Sequence, residues 1–190
     1  MASSIETPFL FNTLEIRSNV DEEQAIDLRT GTPIIEYRES VFMPFVEVTV
    51  YMVDTGNTVP ANDGTQSQVG LLDAGIAQGT EKVIFKIEDE KGAKIELPDL
   101  RLATISNIKQ SFQNQTYIFT AVSKEAFDNT FLENRCRTKY SGRISDIAVA
   151  IIKTNLGSDK RVDFDETLNE YHDWGDNKYP FELLLDIQRL

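Results

Sequence analysis

Hydrophobic and polar residues alternate along the chain up to about residue 123, and this alternation predicts β-strands. The clearest run covers residues 41–53. Its apolar positions are Val46, Val48, Val50 and Met52, and its polar positions are Glu47, Thr49 and Tyr51. A period of two is typical of a half-buried antiparallel strand. Because Pro44 cannot donate a ladder hydrogen bond, we expect this run at a sheet edge or beside a bulge.

Shorter runs on both sides of this one predict further strands. They cover residues 14–16, 34–37, 82–88, 94–97, 100–108 and 116–122, and we expect Pro98 and Asp99 to interrupt the pairing between two of them. Six or seven strands in hairpin order fit a small closed or nearly closed antiparallel barrel. The sequence therefore predicts an α+β fold that is mainly β, with this barrel in residues 1–123.

Residues 54–80 interrupt the strand pattern. The segment opens with a turn from Asp54 to Asn57 and continues through polar and glycine-containing sequence. We expect a long exposed loop, and loops of this length in compact domains are usually functional or mobile. We expect this segment either to contact a neighbouring subunit or to be disordered in the isolated protein.

After residue 123 the period changes from two to that of a helix, so residues 124–190 are predicted to form a small helical or α/β module. Residues 124–132 are expected to be helix or turn, and residues 161–164 a short strand. The strongest helix is predicted over residues 141–155, capped by Ser141 and ended by Gly157. A terminal helix is predicted to start at Pro180, with Phe181, Leu184 and Leu185 on its apolar side.

The charge balance argues against nucleic-acid recognition. The chain has 19 basic and 31 acidic residues, a net charge of −12, and such a surface repels DNA and RNA. The acidic excess serves either solubility alone or a passage through which DNA slides without adhering. No apolar stretch approaches the roughly 20 residues of a membrane helix, and the N-terminus does not resemble a signal peptide.

Catalytic and metal-binding motifs are weak, so we expect neither an enzyme nor a bound cofactor or metal. His172 is the single histidine; beside Asp173 it is either a general base or an ordinary loop residue. Cys136 lies between two arginines, which would lower the pKa of an exposed thiol, whereas a buried cysteine is inert. The acidic clusters at residues 159–166 and 173–176 are either hard-cation ligands or solvated loops.

Seven short segments, in order, resemble a known family. They are EYRESV (36–41), VTVYMVDTG (48–56), GTEKVIF (79–85), LPDL (97–100), VSKE (122–125), YSGRISD (140–146) and NKYPF (177–181). Together they resemble the N-terminal half of the baseplate hub family of contractile-tailed bacteriophages, in its cyanophage-like branch. The resemblance spans about residues 10–181, although family members are roughly twice as long.

The resemblance implies a tail-tube-like β-barrel followed by a small α/β domain, in a structural virion protein assembled in the host cytoplasm. Its expected partners are further copies of itself in a trimeric or hexameric ring, the spike protein, and the tail tube or tube-initiator proteins. DNA is expected only as passing cargo. The residues expected at a subunit interface or facing the lumen are Glu47, Thr49, Tyr51, Asp54 and Asn57.

Two other functions compete with this one. A carbohydrate- or receptor-binding β-domain of a tail tip or fibre would need a row of exposed aromatic residues, and the chain offers Trp174 and scattered tyrosines. A tail-tip hydrolase would need paired carboxylates in one cleft, for which the acidic residues near Asp163 are the candidates.

Overall fold

The computed structural model describes residues 10–19, 25–60, 68–88, 91–111 and 114–189. The chain divides into two compact units. Unit 1 comprises Met1–Glu39 and Val46–Ser123, and unit 2 comprises Ser40–Phe45 and Lys124–Leu190. The segment Ser40–Phe45 therefore belongs to unit 2, which the predicted division at residue 123 did not anticipate.

Unit 1 is built on a seven-stranded antiparallel sheet. The nine strands among its described residues are, in chain order, β1 (Leu10–Arg17), β2 (Ala25–Asp27), β3 (Ile34–Arg38), β4 (Glu47–Asp54), β5 (Val59–Pro60), β6 (Gln68–Val69), β7 (Lys82–Glu88), β8 (Lys94–Gln110) and β9 (Gln115–Ser123). The large sheet has the order β2-β1-β7-β8-β9-β4-β3, and β5 pairs with β6 alone. The fold of this unit is mainly β, as the alternation predicts.

The predicted apolar faces form the core of unit 1. The buried apolar side chains of β4, β7 and β9 fall at every second position, and these residues pack with others from β1 and β8. The largest fully buried side chains in this core are Leu14, Ile16, Leu28, Leu71, Phe85, Leu100, Leu102, Tyr117 and Phe119. The hairpin β8–β9 is confirmed, with pairs from Leu100–Ser123 to Gln110–Gln115.

The predicted barrel is not found. Among the described strands, the two ends of the sheet are β2 and β3, and these strands are not paired with each other. Closure would need a continuous ladder between them, but β2 is only three residues long. The predicted hairpin order also fails at two places, because β1 pairs with β7 and β4 pairs with β9.

The predictions around two prolines were wrong. The strand β4 begins at Glu47, after Pro44, and lies between β9 and β3, so it is not an edge strand. The strand β8 runs through Pro98 without ending. Its register against β7 shifts between the pairs Phe85–Leu97 and Val83–Leu100. This irregularity accommodates a residue that has no N–H for the ladder.

The segment 54–80 is only partly exposed. Val59, Leu71 and Ile76 are buried in the core of unit 1, and β5 pairs with β6 across the segment. The predicted exposure fails at these positions because the apolar side chains fold back onto the sheet. Residues 61–67 of the predicted loop lie outside the described residues.

Unit 2 combines a two-stranded sheet with short helices. Its elements are α1 (Lys124–Asp128), β10 (Lys139–Arg143), α2 (Ile144–Ala150), a π-helical turn (Ile151–Asn155), β11 (Glu170–Trp174) and α3 (Pro180–Ile187). The strands β10 and β11 pair with each other. Its buried core consists of Cys136, Ile147, Ile151, Leu183 and Ile187.

The helix boundaries of unit 2 differ from the predicted ones. Ser141 lies within β10, and the helix begins at Ile144, so Ser141 is not its cap. Gly157 has the predicted left-handed backbone, with φ +55°. The terminal helix starts at Pro180 as predicted, but it buries Leu183 and Ile187 and leaves Leu185 exposed. No strand forms at residues 161–164.

Candidate assembly site

The predicted row Glu47, Thr49 and Tyr51 lies on the face of β4 opposite the core. Thr49 is only 9% exposed, whereas Glu47 and Tyr51 are half-buried. Cross-strand neighbours cover Thr49, which pairs with Glu36 of β3 and Thr120 of β9. An interior strand is shielded from both sides, so this row is less exposed than the sequence predicts.

A polar network covers this part of the sheet. The Tyr51 hydroxyl donates to Glu36 Oε1 at 3.1 Å. The Arg38 guanidinium contacts Glu36 Oε2 at 2.8 Å and Glu47 Oε1 at 3.4 Å. The hydrogen bond to the Glu36 carboxylate is the main reason why the pKa of Tyr51 is raised. The network holds both carboxylates beside one cation.

The charges on the large sheet are balanced. Six basic and six acidic side chains on its strands form ion pairs with one another. They are Arg17, Arg38, Lys82, Lys86, Lys94 and Arg101, with Glu15, Glu36, Glu47, Glu88, Glu96 and Asp99. The strands around Glu47 are therefore not strongly acidic.

Much of the acidic excess lies outside the residues that the structure describes. Seven acidic residues and no basic ones fall in the parts of residues 1–123 that the structure leaves undescribed. These are Glu6, Asp21, Glu22, Glu23, Asp63, Asp89 and Glu90. They account for more than half of the net charge of −12.

Asp54 has an internal role at the end of β4. Its side chain is buried, with the residue 2% exposed. Its carboxylate accepts hydrogen bonds from Gly56 N at 2.9 Å, Thr58 Oγ1 at 2.7 Å and Leu71 N at 2.7 Å. The Tyr117 hydroxyl lies 3.4 Å from the same carboxylate. Asp54 therefore fixes two chain segments against the sheet and does not face solvent, whereas the predicted Asn57 is exposed.

The single histidine is placed beside a serine and a carboxylate. Ser141 and His172 are cross-strand partners, with Ser141 Oγ 2.7 Å from His172 Nδ1. His172 Nε2 lies 3.0 Å from Glu170 Oε2, so Glu170 and not Asp173 orients the ring. All three side chains are exposed, and none lines the described pockets. Hydrolytic triads work with a shielded acid and an oxyanion site, and the exposed Glu170 is not a shielded acid.

Cys136 is a buried core residue. Burial raises the pKa of its thiol, opposite to the effect predicted for flanking arginines. Those arginines are engaged elsewhere: Arg135 stacks on the Tyr179 ring at 4.3 Å, and Arg137 donates to Asn177 and to the Leu132 carbonyl. The cysteine is therefore structural.

The acidic clusters do not converge. Within the described residues, no group of three or more His, Cys, Asp or Glu side chains is placed to hold a metal ion. Asp163 pairs with Arg161, and Glu166 pairs with Arg143. The described helices also include none that is long and apolar enough to cross a membrane.

Unit 2 carries an apolar groove and an apolar tip. The groove has a volume of about 630 Å³, and its apolar walls include Ile144, Val149, Ile152, Phe164, Leu168 and Leu184. The tip consists of Val41 and Phe42, which are 94% and 89% exposed. The tip is not predicted from the sequence, because the pattern predicts a strand over residues 41–46. The run VFMPF at 41–45, which is apolar throughout instead of alternating, was the available indication.

The fold is similar to that of a phage tail protein of known structure. The 43 kDa tail protein of prophage MuSo2 from Shewanella oneidensis matches with a TM-score of 0.53 and 12% identity, over 92% of this chain and 47% of that one. The E. coli c3393 protein is a type VI secretion component described as similar in structure to the T4 tail proteins gp27 and gp5. It gives a TM-score of 0.44 and 9% identity, over 99% and 41% of the two chains.

This chain spans about half the length of the proteins it matches. No protein-family model and no curated protein matches the sequence. At 12% identity this similarity concerns the fold alone. It agrees with the resemblance of the sequence segments to phage tail proteins in general, but not with any particular branch of them. The cyanophage branch stays a prediction.

Proposed function

We propose that this chain is a structural subunit of a phage tail baseplate and that it acts in the hub, which joins the tail tube to the central spike. The likeness to the 43 kDa tail protein supports the proposal, because it extends over 92% of the chain and includes both units. The ordered segments that resemble the baseplate hub family point to the same role.

The sheet of unit 1 offers a physical basis for assembly. Among the described strands, β3 ends the sheet on one side with an edge of five residues, and β2 ends it on the other with an edge of three. Unpaired strand edges are templates for pairing with another chain. In the proposed hub, these edges pack against neighbouring copies in a ring of three or six. The spike and the tail tube or its initiator are the proposed further partners.

DNA passes through the proposed ring without specific binding. A bore formed by the strands around Glu47 would be nearly neutral, because the strand charges are paired. The net charge of −12 then supplies the repulsion that keeps DNA from adhering. In this proposal the chain has no catalytic role, and the exposed Ser141, His172 and Glu170 are surface residues.

The decisive experiment is native mass spectrometry of the purified protein and of the assembly extracted from particles, with negative-stain microscopy of the same samples. Rings of three or six copies are the expected result. A stable monomer at concentrations of tens of micromolar, together with binding on a glycan array, would contradict the hub and favour a receptor-binding domain.

A further inference from the structure

The apolar tip of unit 2 is held in an exposed position. Val41 and Phe42 are adjacent in sequence and almost fully exposed. Met43 N donates to the Ser40 carbonyl at 3.0 Å, and Phe42 N donates to Ser40 Oγ at 3.2 Å, so the backbone forms a hydrogen-bonded turn. Phe45 stacks on Phe181 of α3, with ring centroids 6.5 Å apart and planes 11° apart. The turn and the stacking fix the tip in place before any partner binds.

The groove is large enough to receive such a tip. Its volume of about 630 Å³ lies in the range of pockets that enclose small ligands. It runs along α2, the π-helical turn, the segment 162–169 and α3. The exposed Leu168 and half-exposed Phe164 line it, so its apolar wall is uncovered within the described residues.

The tip and the groove lie next to each other on unit 2. A smaller recess of about 200 Å³ is lined by Val41, Phe42 and Pro44, together with Leu184 and Gln188 of the α3 region. Leu184 and Gln188 also line the groove. One side of unit 2 thus presents a protruding apolar element beside an apolar groove.

We propose that Val41 and Phe42 of one copy insert into the groove of a second copy of this chain. A contact in which one surface of a subunit enters a different surface of the next is heterologous, and such contacts generate rings when the rotation closes. This proposal rests on the proposed hub function, because the contact joins copies within the ring. It names the residues that form the two sides of that contact.

The area that the tip would bury is smaller than a complete subunit interface, so other surfaces must also contribute to the contact between copies. Burying the Phe42 side chain removes roughly 200 Å² from water, and Val41 adds about half as much. The groove wall that they cover loses a similar solvent-accessible area, so the total area buried in each contact is about 600 Å². Stable interfaces bury about 1,200 Å² or more. The tip therefore supplies about half of the smallest stable interface, and the strand edges of unit 1 supply more in the proposed ring.

A mixed-chain disulfide experiment tests the contact directly. Chains with Phe42→Cys and a tag are mixed with untagged chains that carry Val149→Cys, a residue of the groove wall. The native Cys136 is buried and does not compete in the folded protein. The matched control replaces the groove partner by Ile108→Cys, an apolar position of unit 1 that is 58% exposed. A covalent dimer of tagged and untagged chains is expected for Val149→Cys and not for Ile108→Cys.

Association strength gives a second measurement. Phe42→Ala is expected to raise the dissociation constant of self-association roughly tenfold to hundredfold, because it removes one buried aromatic side chain. Ile108→Ala is expected to change it less than threefold. Analytical ultracentrifugation measures both. The variant side chain is exposed, so circular dichroism should show an unchanged fold.

The possible failures are distinguishable. If native mass spectrometry shows rings while the mixed disulfide is absent and Phe42→Ala associates normally, the tip contact is wrong and the hub proposal stands. If the protein remains monomeric at tens of micromolar, both are wrong. A mixed disulfide with rings of three or six copies supports both.

Discussion

Asp54 is the residue whose replacement tests the architecture of unit 1 most sharply. Its buried carboxylate accepts hydrogen bonds from the main chain at Gly56 and Leu71 and from the Thr58 hydroxyl. These bonds tie the segments that follow β4 to the core. Asp54→Ala removes the shared acceptor and leaves all three donors to find other partners.

The size of the effect follows from the burial of each donor. A hydrogen bond to a charged group contributes about 1.5–3 kcal/mol, and a buried donor left without a partner costs about 1–3 kcal/mol. The bond to Leu71 N is buried, whereas those to Gly56 and Thr58 are part-buried and can recover water. We expect Asp54→Ala to lower the free energy of unfolding of unit 1 by about 3 kcal/mol.

Asp54→Asn keeps the size of the side chain and removes only the negative charge and one acceptor oxygen. It therefore separates the effect of the carboxylate from the effect of losing the whole side chain. The amide keeps one acceptor oxygen but turns an NH₂ group towards one of the donors. Its expected cost lies between that of Asp54→Ala and zero, at about 2 kcal/mol. Glu96→Gln is the matched control, because the exposed Glu96 carboxylate only pairs with Lys86 at 3.7 Å. Its expected effect is below about 0.5 kcal/mol.

Two probes separate the units in the same urea titration. Far-UV circular dichroism follows the sheet, and Trp174, the single tryptophan, reports on unit 2 by fluorescence. Hydrogen exchange adds local resolution, since the Leu71 amide should lose protection in Asp54→Ala. If the urea midpoint of the sheet and the protection of Leu71 both stay unchanged, the assigned role of Asp54 is refuted.

Two further predictions concern unit 2. The pKa of Glu125 is affected first by burial, which raises it, but hydrogen bonds from Lys160 and Ser158 outweigh burial and leave the pKa below its ordinary value of 4.5. The stabilisation by ionised Glu125 is therefore present above about pH 4.5 and is lost as the pH falls through the lowered pKa. In urea titrations, the difference in unfolding free energy between wild type and Glu125→Gln should shrink from pH 6 to pH 3. A difference that stays constant over this range would contradict the assigned role. Gly175→Ala should destabilise unit 2 by about 2 kcal/mol, because a Cβ there would lie 2.5 Å from the Cys136 carbonyl oxygen. Trp174 fluorescence during thermal unfolding measures this, and an unchanged melting temperature would refute the close contact.

The local pattern of the sequence determined which segments are extended and which faces are apolar. Val48, Val50 and Met52 are buried at every second position, as their alternation predicts. The helical period likewise places Ile147 and Ile151 in the core of unit 2. These features follow from side-chain direction within one element, which depends on residues two to four positions apart.

The tertiary structure decided which strands are neighbours and whether the sheet closes. The pairing of β1 with β7 and of β4 with β9 joins segments more than 60 residues apart, and no local pattern specifies such a partner. The same pairing made β4 an interior strand and shielded Thr49. Among the described strands, it also left β2 and β3 as the two ends of the sheet where a barrel was expected.

The roles of single polar residues were also decided in three dimensions. Asp54 begins a turn in the sequence, yet the fold of segment 69–71 brings the Leu71 amide to it and makes it a buried acceptor. His172 meets Ser141 only because β10 pairs with β11. Alternation determines the face of the strand on which a side chain lies. The hydrogen-bond partners of that side chain come from distant chain segments, which approach only when the core packs. Local sequence patterns therefore do not specify these partners.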